Sequence, residues 1–177
     1  MGTSKNFVLW LLGPTSSGKT TIANQLVFEL RKRDITIISF DGDEVRNFFG
    51  KNFGFTSENR IAVVKTLTQL ANKSIDAGIN VIVSALTANK DARNYVKNNC
   101  KNLILGYVQC SIEVCAARDP KGLYARAQKG EINTLIGYNS EYIPPTAEIT
   151  INTEKKSLYQ STEFLIDELK NRKILIN

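Results

Sequence analysis

The sequence contains no histidine. That absence removes the commonest general base at neutral pH, the commonest zinc ligand and any catalytic triad of the Ser/His/Asp kind. Acid–base chemistry must therefore fall to carboxylates or lysines. Cysteine is scarce: Cys100, Cys110 and Cys115 are odd in number and lack metal-ligand spacing, so they read as free thiols of a cytoplasmic protein. No apolar run approaches the roughly 18 residues of a membrane span, which argues against a membrane partner. Low-complexity linkers and blocks of like charge are missing as well. The 23 Lys and Arg against 17 Asp and Glu give a net charge of +6, spread along the chain. Such a distribution predicts small anionic ligands rather than nucleic acid.

What is present reads as one domain over residues 1–177. Short apolar runs rich in β-branched residues occur at "NFVLWLL", "ITIISF", "NVIVSAL", "NLILGYVQC" and "AEITIN", as expected of strands buried on both faces. The start "MGTSKNFVLWLLG" reads as the first of these strands rather than a targeting segment. Helical patterns fall between and after them, at 19–32, 58–77, 90–99 and 157–172. Strands alternating with helices predict an α/β protein, a parallel sheet with helices on both faces. The stretch from about 119 to 145 is charged, contains Gly and Tyr and shows little apolar periodicity. A segment of that length over a compact sheet suggests a lid.

"GPTSSGKTT" fits the phosphate-loop pattern through Gly13, Gly18, Lys19 and Thr20, with Ser16, Ser17 and Thr21 in and beside it. Small residues let backbone N–H groups turn toward phosphate oxygens, Lys19 reaches the β- and γ-phosphates, and Thr20 offers a hydroxyl to magnesium. The loop follows a predicted strand and opens a predicted helix, whose N-terminal dipole favours anions. ATP and Mg2+ are the expected cofactors. Downstream, "SFDGDEVR" places Asp41 and Asp43 at the end of the second strand of the sheet, where open α/β sheets bind ligands. Read alone, this stretch is equally a turn in which Asp41 caps a helix.

Together with "GFTSENR" and "RDPKGLYARAQKGEI", these motifs resemble the adenylylsulfate kinase family over about residues 6–153. The resemblance implies a P-loop kinase with a five-stranded parallel sheet, a lid and commonly a homodimer. It also implies transfer of phosphate from ATP to the ribose 3′-hydroxyl of adenosine 5′-phosphosulfate. On that basis Asp43 orients or deprotonates the acceptor hydroxyl, with Lys19 and Asp41 completing the catalytic set, and Thr20 and Asp41 hold the metal. Arg118 would lie against the ATP adenine, while Lys121 and Arg126 would bring positive charge over the phosphates. Arg46, Phe55, Arg60, Ser84 and Leu135 would contact the acceptor nucleotide.

The sequence departs from the family mainly on the acceptor side. Ala62 and Val63 replace a Glu-Asn pair, Leu135 and Ile136 replace Phe-Thr, Asn59 replaces an aspartate, and Thr87 replaces a serine. Losing one aromatic face weakens base stacking by ~1–3 kcal/mol, enough to alter preference between bases. An alternative acceptor is therefore another nucleotide with a sulfate-like group on its 5′-phosphate, of which cytidine diphosphoramidate is the concrete case. A non-catalytic nucleotide-binding module is the alternative of another class.

Overall fold

Alternate residues of a β-strand face opposite sides of its sheet, and in β2 (Val8–Leu12) both sides are buried. Leu9 and Leu11 enter one core cluster, and Val8, Trp10 and Leu12 enter another. The computed structural model containing this strand describes residues 2–3, 5–50 and 53–176. β2 is the middle strand of a five-stranded sheet ordered β3-β4-β2-β5-β6, the others being β3 (Ile37–Asp41), β4 (Asn80–Ser84), β5 (Leu103–Gln109) and β6 (Ile149–Asn152). Every neighbouring pair in it is parallel.

Helices α1 (Lys19–Arg31) and α7 (Leu158–Asn171) supply Ile22, Leu26, Leu30, Leu165, Ile166 and Leu169 to the first cluster. Helices α3 (Ser57–Asp76) and α4 (Lys90–Asn99) supply Val63, Val64, Leu67, Ala92 and Val96 to the second. The sheet is thus covered on both faces, as the alternation of patterns predicts. Trp10 has no exposed surface, and its indole N–H donates to Thr87 Oγ1 at 3.0 Å. Truncating such a residue to alanine costs about 3–5 kcal/mol.

The chain leaves β2 toward β3 and β4 and later crosses to β5 and β6, so the loop after β2 lies where the strand order changes direction. Such switch points are where open α/β sheets bind ligands, outside the carboxyl ends of the strands. In this register Ser84 stands opposite both Leu11 and Asp41, which brings the ends of β2, β3 and β4 together.

Three local features differ from the sequence reading. Two short helices, α5 (Ile112–Arg118) and α6 (Leu123–Gln128), follow β5, and the second falls in the stretch expected to be irregular. There Tyr124, Ala127 and Leu135 pack with Cys110 and Cys115 into a small third core. At the chain ends, β1 (Gly2–Thr3) pairs antiparallel with β7 (Leu175–Ile176), and Ile174 and Leu175 pack on the first cluster while Ile176 stays exposed. Among the described residues no helix is long and apolar enough to cross a membrane.

Candidate active site

A cavity of about 1070 Å³ opens over the carboxyl ends of the strands. Its floor is the loop between β2 and α1. Gly13 is required there, because a Cβ at that position would lie 2.4 Å from the Val108 carbonyl oxygen. Gly18 caps α1 in the left-handed region at φ 99°, a conformation that favours glycine. Lys19 folds back over the loop and donates to the carbonyl oxygens of Gly13 at 3.0 Å and Pro14 at 2.7 Å. Burial pushes its pKa down to about 8, against the opposing pull of Asp43 and Asp41. Ser16, Gly18, Lys19, Thr20 and Thr21 line the cavity. Gly13 and Ser17 lie behind it: the Ser17 N–H donates to Pro14 O at 3.2 Å, within the loop.

Beside this floor, Asp41 closes β3 and is the N-cap of the six-residue helix α2 (Gly42–Asn47). Its Oδ1 accepts from the Asp43 N–H at 2.8 Å, which is the cap itself. Its Oδ2 accepts from Thr20 Oγ1 and Ser84 Oγ, both at 2.7 Å, so one carboxylate joins the ends of β3 and β4 to the start of α1. Burial acts against the charged carboxylate. The hydrogen bonds from Ser84, Thr20 and the Asp43 N–H outweigh it and hold the pKa below the ordinary aspartate value. The cap and the convergent site are therefore the same residue.

One turn on, Asp43 is exposed and forms an ion pair with Lys121, which reaches it from the turn before α6. Charge and hydrogen bonding from Asp43 raise the Lys121 pKa despite partial burial. Arg46 donates to Gly54 O at 2.8 Å, and its guanidinium carbon lies 4.5 Å from the centroid of the Phe55 ring. Arg60 approaches the same ring at 5.4 Å and donates to Phe55 O at 3.0 Å and Thr134 O at 2.9 Å. Helix α3 between them starts on a Thr56 cap, whose hydroxyl oxygen accepts from Asn59 N. Phe55 precedes that cap, yet the residue four positions into the helix is Arg60, so the ring is no hydrophobic staple. It is half exposed and lines the cavity, as do Ser84, Val63 and Leu135.

On the far side of the floor, Arg118 at the end of α5 donates through both Nη atoms to Thr153, at 3.2 Å to Oγ1 and 2.7 Å to the carbonyl oxygen. Tyr124 donates to Thr15 O at 3.2 Å, tying α6 to the phosphate loop. Arg126 corrects an expectation: it pairs with Glu131 at 3.2 Å and is absent from the cavity wall, because helix α6 turns it outward. Sequence reasoning missed Thr153, Tyr124 and the turn after β6, which also line or brace the cavity. The available signal was position alone, since "INTEKKS" follows the last strand of the sheet.

With this geometry in place, known proteins show the same arrangement of chain. The family model for adenylylsulphate kinase matches residues 5–152. The adenylyl-sulfate kinase of Oceanobacillus iheyensis is 34% identical over 174 residues, covering 97% of this chain and 87% of its own. That of Staphylococcus haemolyticus is 36% identical over 177 residues, with the same two coverages. Among solved structures, the Mycobacterium tuberculosis APS kinase CysC in complex with AMPPNP and APS superposes with a TM-score of 0.86 at 26% identity. It covers 94% of this chain and 98% of that one.

Proposed function

This chain belongs to the adenylylsulphate kinase family, and from that premise we propose that it transfers the γ-phosphoryl group of ATP to the ribose 3′-hydroxyl of adenosine 5′-phosphosulfate. The observation that carries the reading is the convergence of Lys19, Thr20, Asp41 and Asp43 on one cavity over the strand ends, with Arg46, Phe55 and Arg60 at its other side. Phosphoryl transfer depends on positioning and charge neutralisation, so a histidine-free site suffices.

In this account Asp43 accepts the proton of the 3′-hydroxyl as its oxygen bonds to the γ-phosphorus and the bond to ADP breaks. Lys19 pairs with the β- and γ-phosphates, leaving its carbonyl partners in the loop. Arg46 and Arg60 face the anionic 5′-group of the acceptor, and Phe55 stacks on its base. The donors fit magnesium: the Thr20 hydroxyl and the Asp41 carboxylate are hard oxygens 2.7 Å apart, the carboxylate held ionised. These two side chains would hold magnesium, whose chemistry there would be to neutralise charge on the phosphates. Residues 119–145 form the lid, and Lys121 moves from Asp43 to the phosphates when it closes over them. A cytoplasmic homodimer completes the proposal, with the dimer checked by light scattering.

A second reading keeps the reaction and changes the base. Val63 and Leu135, both almost fully buried in the wall near Phe55, present only carbon where a base edge would seek hydrogen bonds. With Leu135 in place of a second aromatic face, less stacking area is offered, which suits a base smaller than adenine, as in cytidine diphosphoramidate. The test is ADP release with ATP and Mg2+ against both acceptors. A higher kcat/KM for the adenine nucleotide supports the first reading, and a higher value for the cytidine nucleotide supports the second.

A further inference from the structure

Thr153 is the first residue after β6 and carries more of the site's geometry than any motif assigns to it. Its hydroxyl oxygen lies 3.0 Å from Ser17 O and 3.3 Å from Gln109 O, and it accepts from Arg118 Nη1 at 3.2 Å. Its carbonyl oxygen accepts from Arg118 Nη2 at 2.7 Å, and its N–H donates to Gln109 O at 3.1 Å. A Cβ added to Gly18 would touch the Thr153 methyl at 4.0 Å. One side chain therefore clasps the phosphate loop, the end of β5 and the guanidinium of Arg118.

We propose that Thr153 is a positioning residue for the phosphate donor: it holds the Arg118 fork so that its planar face meets the donor base while the phosphates rest on the loop below. The inference rests on the reading of residues 13–21 as the ATP phosphate site. With both Nη atoms engaged by Thr153, the guanidinium loses the rotational freedom of an exposed arginine and keeps a face for stacking. The hydroxyl proton has the Ser17 and Gln109 carbonyls as acceptors, which leaves its lone pairs for Arg118. Phe55, Arg118 and Thr153 all line the cavity; with the acceptor base on Phe55, as proposed above, Arg118 and Thr153 are left for the donor base.

The test compares binding of ATP and of inorganic tripolyphosphate, which shares the phosphates and lacks the base. Thr153→Val removes the hydroxyl at nearly constant volume and is expected to weaken ATP about tenfold while tripolyphosphate binding changes less than about twofold. Thr153→Ser restores ATP affinity. Arg118→Ala weakens ATP similarly, and Thr153→Val adds nothing in that background, because residues acting through one contact are non-additive. Equal weakening of both ligands by Thr153→Val, or a full additional loss in the Arg118→Ala background, would overturn the assignment. Should Thr153→Val fail to fold, Arg118→Lys keeps the charge and loses the fork. Weaker ATP with unchanged tripolyphosphate then supports the proposal, and unchanged ATP overturns it. A wild-type protein that binds neither ligand removes the phosphate-site reading itself, a result distinct from failure of the Thr153 role.

Discussion

Lys121 and Asp43, 78 residues apart, form an ion pair in the cavity wall. Both side chains are more than half exposed, so the pair adds little to stability, about 0–1 kcal/mol. Its consequence is for turnover, because Lys121 is the cation nearest the proposed base. Lys121→Met should leave the melting temperature within about 2 °C of wild type and lower kcat about a hundredfold, the effect of removing one preorganised donor to developing charge. Steady-state kinetics and thermal melts on the same preparation check both parts.

Asp43 accepts the hydroxyl proton in the proposed reaction, whereas Asp41 caps α2 and, on the same proposal, would hold the metal. Asp43→Asn should therefore bind ATP normally and lose phosphoryl transfer by about a hundred- to ten-thousandfold. Calorimetric titration with ATP, run beside the coupled assay, separates the two effects. Near wild-type turnover in this variant removes the role.

Lys19 gives the site a pH signature. Its pKa is pushed down to about 8 from an ordinary 10.5 by burial. Burial penalises the protonated lysine in the folded protein, and that penalty is relieved as pH rises from about 8 to 10.5, so by itself Lys19 makes stability increase with pH across that window. ATP binding runs the other way. Triphosphate favours the charged amine, so above pH 8 binding takes up close to one proton and affinity falls with pH. Calorimetry of ATP binding in buffers of different ionisation enthalpy measures the uptake directly.

Phe55 presents half its surface to the cavity between two guanidinium groups. Phe55→Ala should raise the acceptor KM about 5- to 160-fold, from a stacking loss of ~1–3 kcal/mol, with ATP affinity unchanged. Leu135→Phe, which restores a second aromatic, enters the small core with Tyr124 and Cys115 and should cost about 1–3 kcal/mol of stability through overpacking. Acceptor kinetics and denaturant melts of the two variants check these expectations.

The sheet was legible in the sequence because five apolar runs, buried on both faces, leave a strong periodic trace, and the four long helices appeared within one or two residues of their observed ends. Helix α6 left no such trace. Its N-cap is Gly122, with φ 63° and no side chain to cap it, and it is held by Tyr124 and Ala127 packing against Cys110, Cys115 and Leu135, contacts that only the folded chain creates. Strands β1 and β7 are two residues each, too short for any period. In the site, Lys19, Thr20, Asp41 and Asp43 were readable because their spacing forms motifs. Thr153 was not, since much of what it does passes through backbone carbonyls and through its place at a strand end. Arg126 was misplaced because charge in a sequence carries no direction, and its helix points it to Glu131.

Phosphorylation of a ribose 3′-hydroxyl is the step on which the proposed function stands. Phosphorus NMR of the products formed from ATP, Mg2+ and adenosine 5′-phosphosulfate tests it most directly. One new phosphomonoester resonance, coupled to the ribose H3′ and growing in step with ADP, is the expected result. ADP that forms without the acceptor at the same rate, or a new phosphate on any other atom, would contradict it.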